Sequence, residues 1–249
     1  MEKDVFRPVD EMLSGQRGLR EWADENGQRV GANADEMSVG DIDGERYFVK
    51  HDLKEEDKAA HLAAAPLMKQ MNRAPEILYD PETEDIAISE LGENARPPKS
   101  ALLSDELYSS VAPVDEESFY EVAAQRWMLG DSNVYDNVLV ESVRPQHLKP
   151  GNEREAYLHD FDHAGKHTSK ARIRGFREAF EYVAEQLDID YSHRRFKEKV
   201  GEIGDELDAE AYENRLDDME EGTRDDLYDR TVEHGRRIVE NINRAQESF

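Results

Sequence analysis

The sequence contains no cysteine among its 249 residues. Without thiols the chain can form neither a disulfide framework, nor a thiolate nucleophile, nor a cysteine-based zinc site. No apolar run approaches the ~18 residues that a membrane span requires, and residues 1–8 lack the apolar core of a signal peptide. We therefore expect a soluble, cytoplasmic protein with no membrane span.

Positive charge is also scarce. Eleven lysines and twenty-one arginines face 58 acidic residues, which gives a net charge of −26. The acidic residues are spread over every segment, a composition that resembles proteins from extreme halophiles of the haloarchaeal type. Because no basic face offsets this negative field, we do not expect nucleic acid or an anionic membrane as a partner. A nucleotide could still bind through Mg²⁺ and one or two local cations.

Apolar residues nevertheless make up 37% of the chain and recur with clear periodicity. This pattern indicates a folded protein with a very acidic surface. A chain of this length can form one large domain or two small lobes that share a cleft, and its length alone leaves both arrangements open.

The pattern changes from helix to strand within the N-terminal part of the chain. Residues 9–25 predict one or two short helices interrupted by glycines. Alternating apolar runs then predict strands at 30–33, 37–42, 46–50, 76–79 and 85–89. Asp43-Gly44 is a strong signal for a hairpin turn between two of these strands.

Helical periodicity dominates the rest of the chain. Residues 55–71 predict a helix inserted between strands, and 115–129 predict a helix capped by Asp115. Three further helical stripes appear at 176–187, 196–207 and 227–242.

Two short runs hold the side chains that suit metal and phosphate chemistry. Residues 130–140 read Gly-Asp-Ser-Asn-Val-Tyr-Asp-Asn-Val-Leu-Val, and residues 157–164 read Tyr-Leu-His-Asp-Phe-Asp-His-Ala. In each run, polar oxygen ligands lie beside a short apolar segment that predicts a buried strand. Such ligands at strand ends suit Mg²⁺, which binds through a few carboxylates and the phosphates of its substrate.

These runs resemble the catalytic loop (Gly-Asp-x4-Asn) and the metal loop (Asp-Phe-Gly or Asp-Phe-Asp) of the protein-kinase-like superfamily. The resemblance is nearest to its atypical members: aminoglycoside phosphotransferases, HipA-type kinases and phosphatidylinositol kinases. It implies an α+β, bilobal fold. Residues 1–92 would form a small antiparallel β-rich N-lobe, with an N-terminal helical segment, five strands and one helix. Residues 93–249 would form a larger, mainly helical C-lobe.

The resemblance also implies which residues carry the chemistry. Asp131 would be the catalytic base, and Asn137 and Asp160 would bind Mg²⁺. Asp162 would be a second metal ligand or a solvated neighbour.

The nucleotide, ATP or a relative, would be held by the N-lobe. Lys50, on the third strand of the predicted hairpin region, would pair with the α and β phosphates. The turn at Gly31 would cover the phosphates, and Glu90 would begin a hinge that meets the adenine ring. The alternative for Lys50 is a surface lysine on an edge strand.

The sequence departs from the family pattern at two points. Asp131 and Asn137 are six positions apart, where the family has five. Either the loop carries one extra residue, or Asn133 occupies the base position and the protein is catalytically crippled. In addition, the family's lysine-pairing glutamate lies deep in the helix, whereas residues 55–71 carry acids only at 55–57.

Three functions follow from these patterns. The first is a Mg²⁺-dependent phosphotransferase that moves a nucleotide γ-phosphate to a hydroxyl of an unknown protein or small molecule. The second is a catalytically inactive kinase-like scaffold or binding protein. The third is a metal hydrolase whose ligands would be His159, Asp160, Asp162, His163 and His167, since imidazole suits Zn²⁺.

Overall fold

A computed structural model of the chain describes residues 6, 13–21, 36–90, 113–131, 138–140, 154–158, 161, 163–166, 169–219 and 223–248. Across these residues the fold is α+β, with one five-stranded sheet, one two-stranded sheet and a mainly helical remainder. The strands of the larger sheet are β1 (Ser14–Gly18), β2 (Met37–Ile42), β3 (Glu45–Lys50), β4 (Ile77–Tyr79) and β5 (Ile86–Ser89).

The five strands lie in the order β1-β2-β3-β5-β4, and every neighbouring pair is antiparallel. Asp43 and Gly44 have φ angles of 52° and 87°, the left-handed conformation that a two-residue hairpin turn requires. The predicted hairpin is therefore confirmed. The register places Lys50 opposite Met37 of β2 and Ile86 of β5.

The helical prediction for residues 9–25 is wrong at Ser14–Gly18, which form the edge strand β1. Gly15 adopts a φ of +64°, which is incompatible with a continuing right-handed helix. Pairing with β2 supplies the backbone hydrogen bonds that a helix would otherwise provide. The predicted strand at 30–33 lies outside the described residues.

The two faces of the sheet pack against different parts of the chain. The face that we call inner covers the first helix, α1 (Glu55–Met68), and contributes Ile77, Tyr79, Ile86 and Ile88 to the main core. The outer face carries a separate small cluster of Ile42, Tyr47, Val49, Leu78 and Ala87, against which Leu13 packs. Alternation of side chains along each strand separates these two sets.

The other described helices are α2 (Glu116–Leu129), α3 (Ser169–Gln186), α4 (His193–Glu206), α5 (Ala209–Asp217) and α6 (Asp225–Ser248). Helix α2 begins as predicted, because the Asp115 carboxylate accepts a hydrogen bond of 2.7 Å from the backbone N–H of Ser118. Helix α6 packs against α1, α2, α4 and α5. One continuous core therefore joins the inner face of the sheet, α1 and the C-terminal helices.

The smaller sheet pairs β6 (Val138–Val140) with β7 (Ala156–Leu158) in antiparallel orientation. These are the two strands predicted beside the polar runs, and both are confirmed. Within the described residues, no helix combines the length and the apolar character needed to cross a membrane.

Candidate functional site

Lys50 lies at the end of β3 on the inner face of the sheet, and only 7% of its surface is exposed. Its ammonium nitrogen Nζ lies 3.3 Å from Nε2 of His61, a residue in the middle of α1. A buried ammonium is costly unless polar groups solvate it. This position rules out the alternative of a solvated surface lysine.

The tautomer of His61 follows from its second contact. Its Nδ1 lies 2.7 Å from the backbone carbonyl oxygen of Asp57, which can only accept a hydrogen bond. Nδ1 therefore carries the proton, and Nε2 presents its lone pair to the Lys50 ammonium. The helix thus offers the lysine a neutral acceptor in place of the carboxylate of the family pattern.

Phe161 extends this contact towards the second polar run. Its ring is fully buried and meets the His61 ring edge-on, with 6.2 Å between the ring centres. On another side the Arg126 guanidinium lies 5.4 Å from the centre of the same ring. Phe161 lies between Asp160 and Asp162 in the sequence. The centre of the predicted metal loop therefore contacts His61, the residue that accepts from Lys50.

Asp131, the predicted base, is fully buried and forms an ion pair with Arg126, which is also fully buried. Gly130 closes α2 with a φ of 64°, and this left-handed cap turns the chain so that Asp131 folds back onto the last turn. A continuous series of contacts thus runs through Lys50, His61, Phe161, Arg126 and Asp131.

The small hairpin brings the ends of the two predicted loops together. Val138, the first residue of β6, pairs with Leu158, the last residue of β7. The chain before Val138 leads from Asn137, and the chain after Leu158 leads to Asp160. Both runs therefore join the hairpin at the same end.

The turn that follows Phe161 is held tightly against three helices. The backbone N–H of Gly165 donates to the carbonyl of Leu129 in α2 over 2.6 Å. Gly165 has a φ of +67°, and an added Cβ would lie 2.6 Å from the backbone oxygen of His234 in α6. Only glycine fits this conformation and this space. Lys166 then forms an ion pair of 3.1 Å with Asp57 of α1.

His234 joins α6 to both α1 and this turn. The side chain is 2% exposed, and its Nδ1 lies 2.7 Å from the carbonyl oxygen of Ala164. Its Nε2 lies 3.0 Å from the carboxylate of Glu56. Arg237 adds a hydrogen bond of 3.1 Å to the carbonyl of Gly165. The C-terminal helix therefore fixes α1 relative to the turn.

Glu90 lies just beyond β5, and its carboxylate pairs with Arg46 at 3.0 Å. Its backbone N–H donates to the carbonyl of the same arginine over 2.8 Å. Arg46 lies at the start of β3, so Glu90 is at the opposite end of the β3–β5 ladder from Lys50.

The remaining predicted site residues, Gly31, Asn137, Asp160 and Asp162, lie outside the described residues, as does Asn133. Of the histidines and aspartates proposed for a zinc hydrolase, only His163 lies within them. In the described part of the chain, no group of three or more His, Cys, Asp or Glu side chains is arranged to hold a metal ion.

Sequence reasoning did not find His61, Arg126 or His234. The family pattern predicts a glutamate on α1, whereas the residue that contacts Lys50 is a histidine four positions after Asp57. Arg126 and His234 occur within helical stripes made mainly of apolar residues, and a guanidinium or imidazole side chain within such a stripe was the signal that the sequence offered.

Comparisons with known proteins agree with this architecture. A scan against protein-family models gives no match, and a search of curated proteins gives none either. Among solved structures, the chain is similar to the Helicobacter pylori proinflammatory kinase CtkA, with 12% sequence identity and a TM-score of 0.51. The similarity covers 89% of this chain and 94% of that chain.

A second solved structure, choline kinase LicA from Streptococcus pneumoniae, shares 13% identity over 94% of this chain and 95% of that chain. Its TM-score of 0.33 is too low to bear on the fold. The antiparallel five-stranded sheet, the mostly helical remainder and the likeness to CtkA together establish that the chain has a protein-kinase-like fold.

Proposed function

We propose that the protein is a Mg²⁺-dependent phosphotransferase that moves the γ-phosphate of ATP or a related nucleotide to a hydroxyl acceptor, a protein or a small molecule. The nucleotide would lie between an N-lobe of residues 1–92 and a C-lobe of residues 93–249. The observation that carries this proposal is the buried ammonium of Lys50, held by His61 beside Phe161 at the centre of the predicted metal loop.

Lys50 suits phosphate binding because α1 holds its ammonium through an imidazole nitrogen and adds no negative charge of its own at this contact. The His61 lone pair orients the ammonium. In a protein with a net charge of −26, such a local cation is what an anionic nucleotide requires. The α and β phosphates would bind to Lys50, beneath the turn at Gly31.

The placement of Glu90 supports a hinge at the end of β5. The β3–β5 ladder runs from Lys50 paired with Ile86 to Tyr47 paired with Ser89. At roughly 3.3 Å per residue, the two ends are about 10 Å apart, a separation that suits an adenine at one end and phosphates at the other.

The proposed metal ligands are one carboxamide, Asn137, and two carboxylates, Asp160 and Asp162. All three offer hard oxygen donors, which fit Mg²⁺. When bound, the ion would neutralise charge on the transferring phosphates. Lys50 would position the nucleotide, and Asp131 would orient or deprotonate the acceptor hydroxyl.

The test is whether Mg-ATP binds and turns over in molar KCl. A ligand at 100 times its dissociation constant should stabilise the fold by about 2.7 kcal/mol, which raises the melting temperature. Asp160→Asn preserves side-chain volume and removes charge, so the circular dichroism spectrum should not change. Phosphoryl transfer should then fall by roughly two orders of magnitude or more. Equal, measurable turnover in the two proteins would remove the support for the role of Asp160.

The second candidate function is an inactive kinase-like scaffold. Complete burial of Asp131 against Arg126 favours it, because an acceptor hydroxyl would have to reach a carboxylate with no exposed surface. For a scaffold, Mg-ATP would leave the melting temperature unchanged and the wild-type protein would show no turnover.

We also propose that the acidic surface is an adaptation to high salt of the haloarchaeal type. The 58 acidic residues repel one another within a compact fold, and salt screens this repulsion.

A further inference from the structure

Three side chains on the outer face of the sheet form a connected polar network that the proposed phosphotransferase does not use. The Ser38 hydroxyl lies 2.7 Å from Nε2 of His51, and Nδ1 of His51 lies 3.0 Å from the carboxylate of Asp85. We call Ser38, His51 and Asp85 the outer triad. Gln16 adds a third contact, because its Nε2 donates to the Ser38 oxygen over 3.1 Å.

The strand register explains why these residues meet. Ser38 of β2 pairs with Val49 of β3, and His51 follows two positions later on the same face. Lys50 pairs with Ile86, so the residues next to this pair, His51 and Asp85, are also opposite each other. The backbone N–H of His51 donates to the carbonyl of Glu36 over 3.0 Å and extends the ladder.

The direction of each hydrogen bond is fixed by the two ends of the network. The Gln16 amide nitrogen can only donate, so the Ser38 oxygen accepts from it and its own hydrogen points to His51. The Asp85 carboxylate accepts the Nδ1 proton of His51. Nε2 therefore presents a lone pair to the Ser38 hydroxyl, which is the arrangement in which a histidine can take the serine proton.

The surroundings are compatible with entry of a small reactant. Ser38 and Asp85 are each 7% exposed, while the side chain of His51 is 30% exposed. Gly18, directly opposite Ser38 on β1, carries no side chain, and no atom of a described residue lies within 4 Å of where its Cβ would be. Gly18 therefore leaves open space opposite Ser38 among the described residues, next to the Gln16 amide that contacts the Ser38 oxygen.

We propose that the outer triad makes Ser38 a nucleophile towards small acyl esters, at a site separate from the nucleotide site. The Ser38 oxygen would bond to the ester carbonyl carbon while its proton moves to Nε2 of His51. An N–H of Gln16, already beside the nucleophile, would donate to the oxyanion. Collapse would break the carbon–alkoxy bond, and His51 would return the proton to the departing alcohol. Water would then hydrolyse the acyl-serine, releasing the acid and restoring Ser38.

The test uses a fluorophosphonate probe on the full-length protein in molar KCl, with peptide mapping by mass spectrometry. Reaction forms a bond between phosphorus and the serine oxygen and releases fluoride and the proton. We expect labelling at Ser38 and none at Ser14, an exposed serine on β1 whose hydroxyl donates to the Asp41 carbonyl and which serves as the internal control. Ser38→Ala should abolish the label.

His51→Gln should slow labelling by at least about a hundredfold, the range of a lost general base. Circular dichroism serves as the folding control for this variant. If the probe labels Ser38 no faster than Ser14 in the wild-type protein, that result alone would overturn the proposal. An unchanged rate in folded His51→Gln would overturn it as well. Neither result bears on Mg-ATP binding, so the two proposals fail separately.

Discussion

Lys50 and His51 are consecutive in the chain but serve opposite faces of the sheet. On the inner face, Lys50 places a cation in the main core and depends on His61 of α1 as its hydrogen-bond acceptor. On the outer face, His51 is partly exposed and lies in a network that begins at the Gln16 amide and ends at the Asp85 carboxylate. One strand end thus supplies two polar sites because successive side chains point in opposite directions.

The two faces differ in how much folding stability is lost when their polar networks are disrupted. The inner face joins Lys50, through His61 and Phe161, to the buried pair of Arg126 and Asp131. Charges there are removed from water and depend on each other. On the outer face the His51 side chain is 30% exposed and keeps contact with water, so a change at His51 can alter chemistry with less effect on the fold.

The largest expected effect compares one aspartate from each face. Asp131→Asn removes the negative charge that faces buried Arg126 and should destabilise the fold by about 3–5 kcal/mol. Asp85→Asn keeps an oxygen acceptor for His51 and should cost only about 1 kcal/mol. Urea denaturation of both variants in molar KCl measures the two values. Equal losses would contradict the distinction between the faces.

A smaller effect concerns the acceptor on α1. His61→Leu removes the hydrogen bond to Lys50 and should weaken Mg-ATP binding about tenfold, since a hydrogen bond to a charged group contributes roughly 1.5–3 kcal/mol. His61→Gln retains an acceptor near the position of Nε2 and is the matched control. Titration calorimetry distinguishes them, and identical affinities for the two variants would exclude a positioning role.

The smallest effect should come from salt acting on exposed charges. Raising KCl from about 0.1 M to about 2 M shortens the Debye length to a few ångströms, so surface repulsion falls while buried pairs are little affected. The melting temperature of the wild-type protein should rise over this range. A melting temperature that does not change would remove the basis for a halophilic surface.

Most of the sheet could be predicted because its signals are local. Asp43-Gly44 specifies a tight turn, and alternating apolar residues mark β2, β3, β4 and β5. The edge strand β1 was missed because Ser14–Gly18 contains almost no apolar residues and becomes a strand only through pairing with β2.

The contacts around the site were harder to predict because they depend on register and helix orientation. Lys50 was found from its place at a strand end, but its partner His61 comes from a different element. The outer triad depends on residues 38, 51 and 85 meeting across three strands, which no single stretch of sequence reveals. Asn137, Asp160, Asp162 and Gly31 remain predictions.

The central claim, that the buried ammonium of Lys50 binds nucleotide phosphates, is tested most directly by titrating Mg-ATP into Lys50→Met and Lys54→Met. Both variants lose one lysine charge, but Lys54 is exposed just before α1 and serves as the matched control. We predict that Lys54→Met binds Mg-ATP like the wild-type protein. Lys50→Met should bind at least about tenfold more weakly, because it loses a charge-assisted contact. Equal Mg-ATP affinity in Lys50→Met and the wild-type protein would contradict the account.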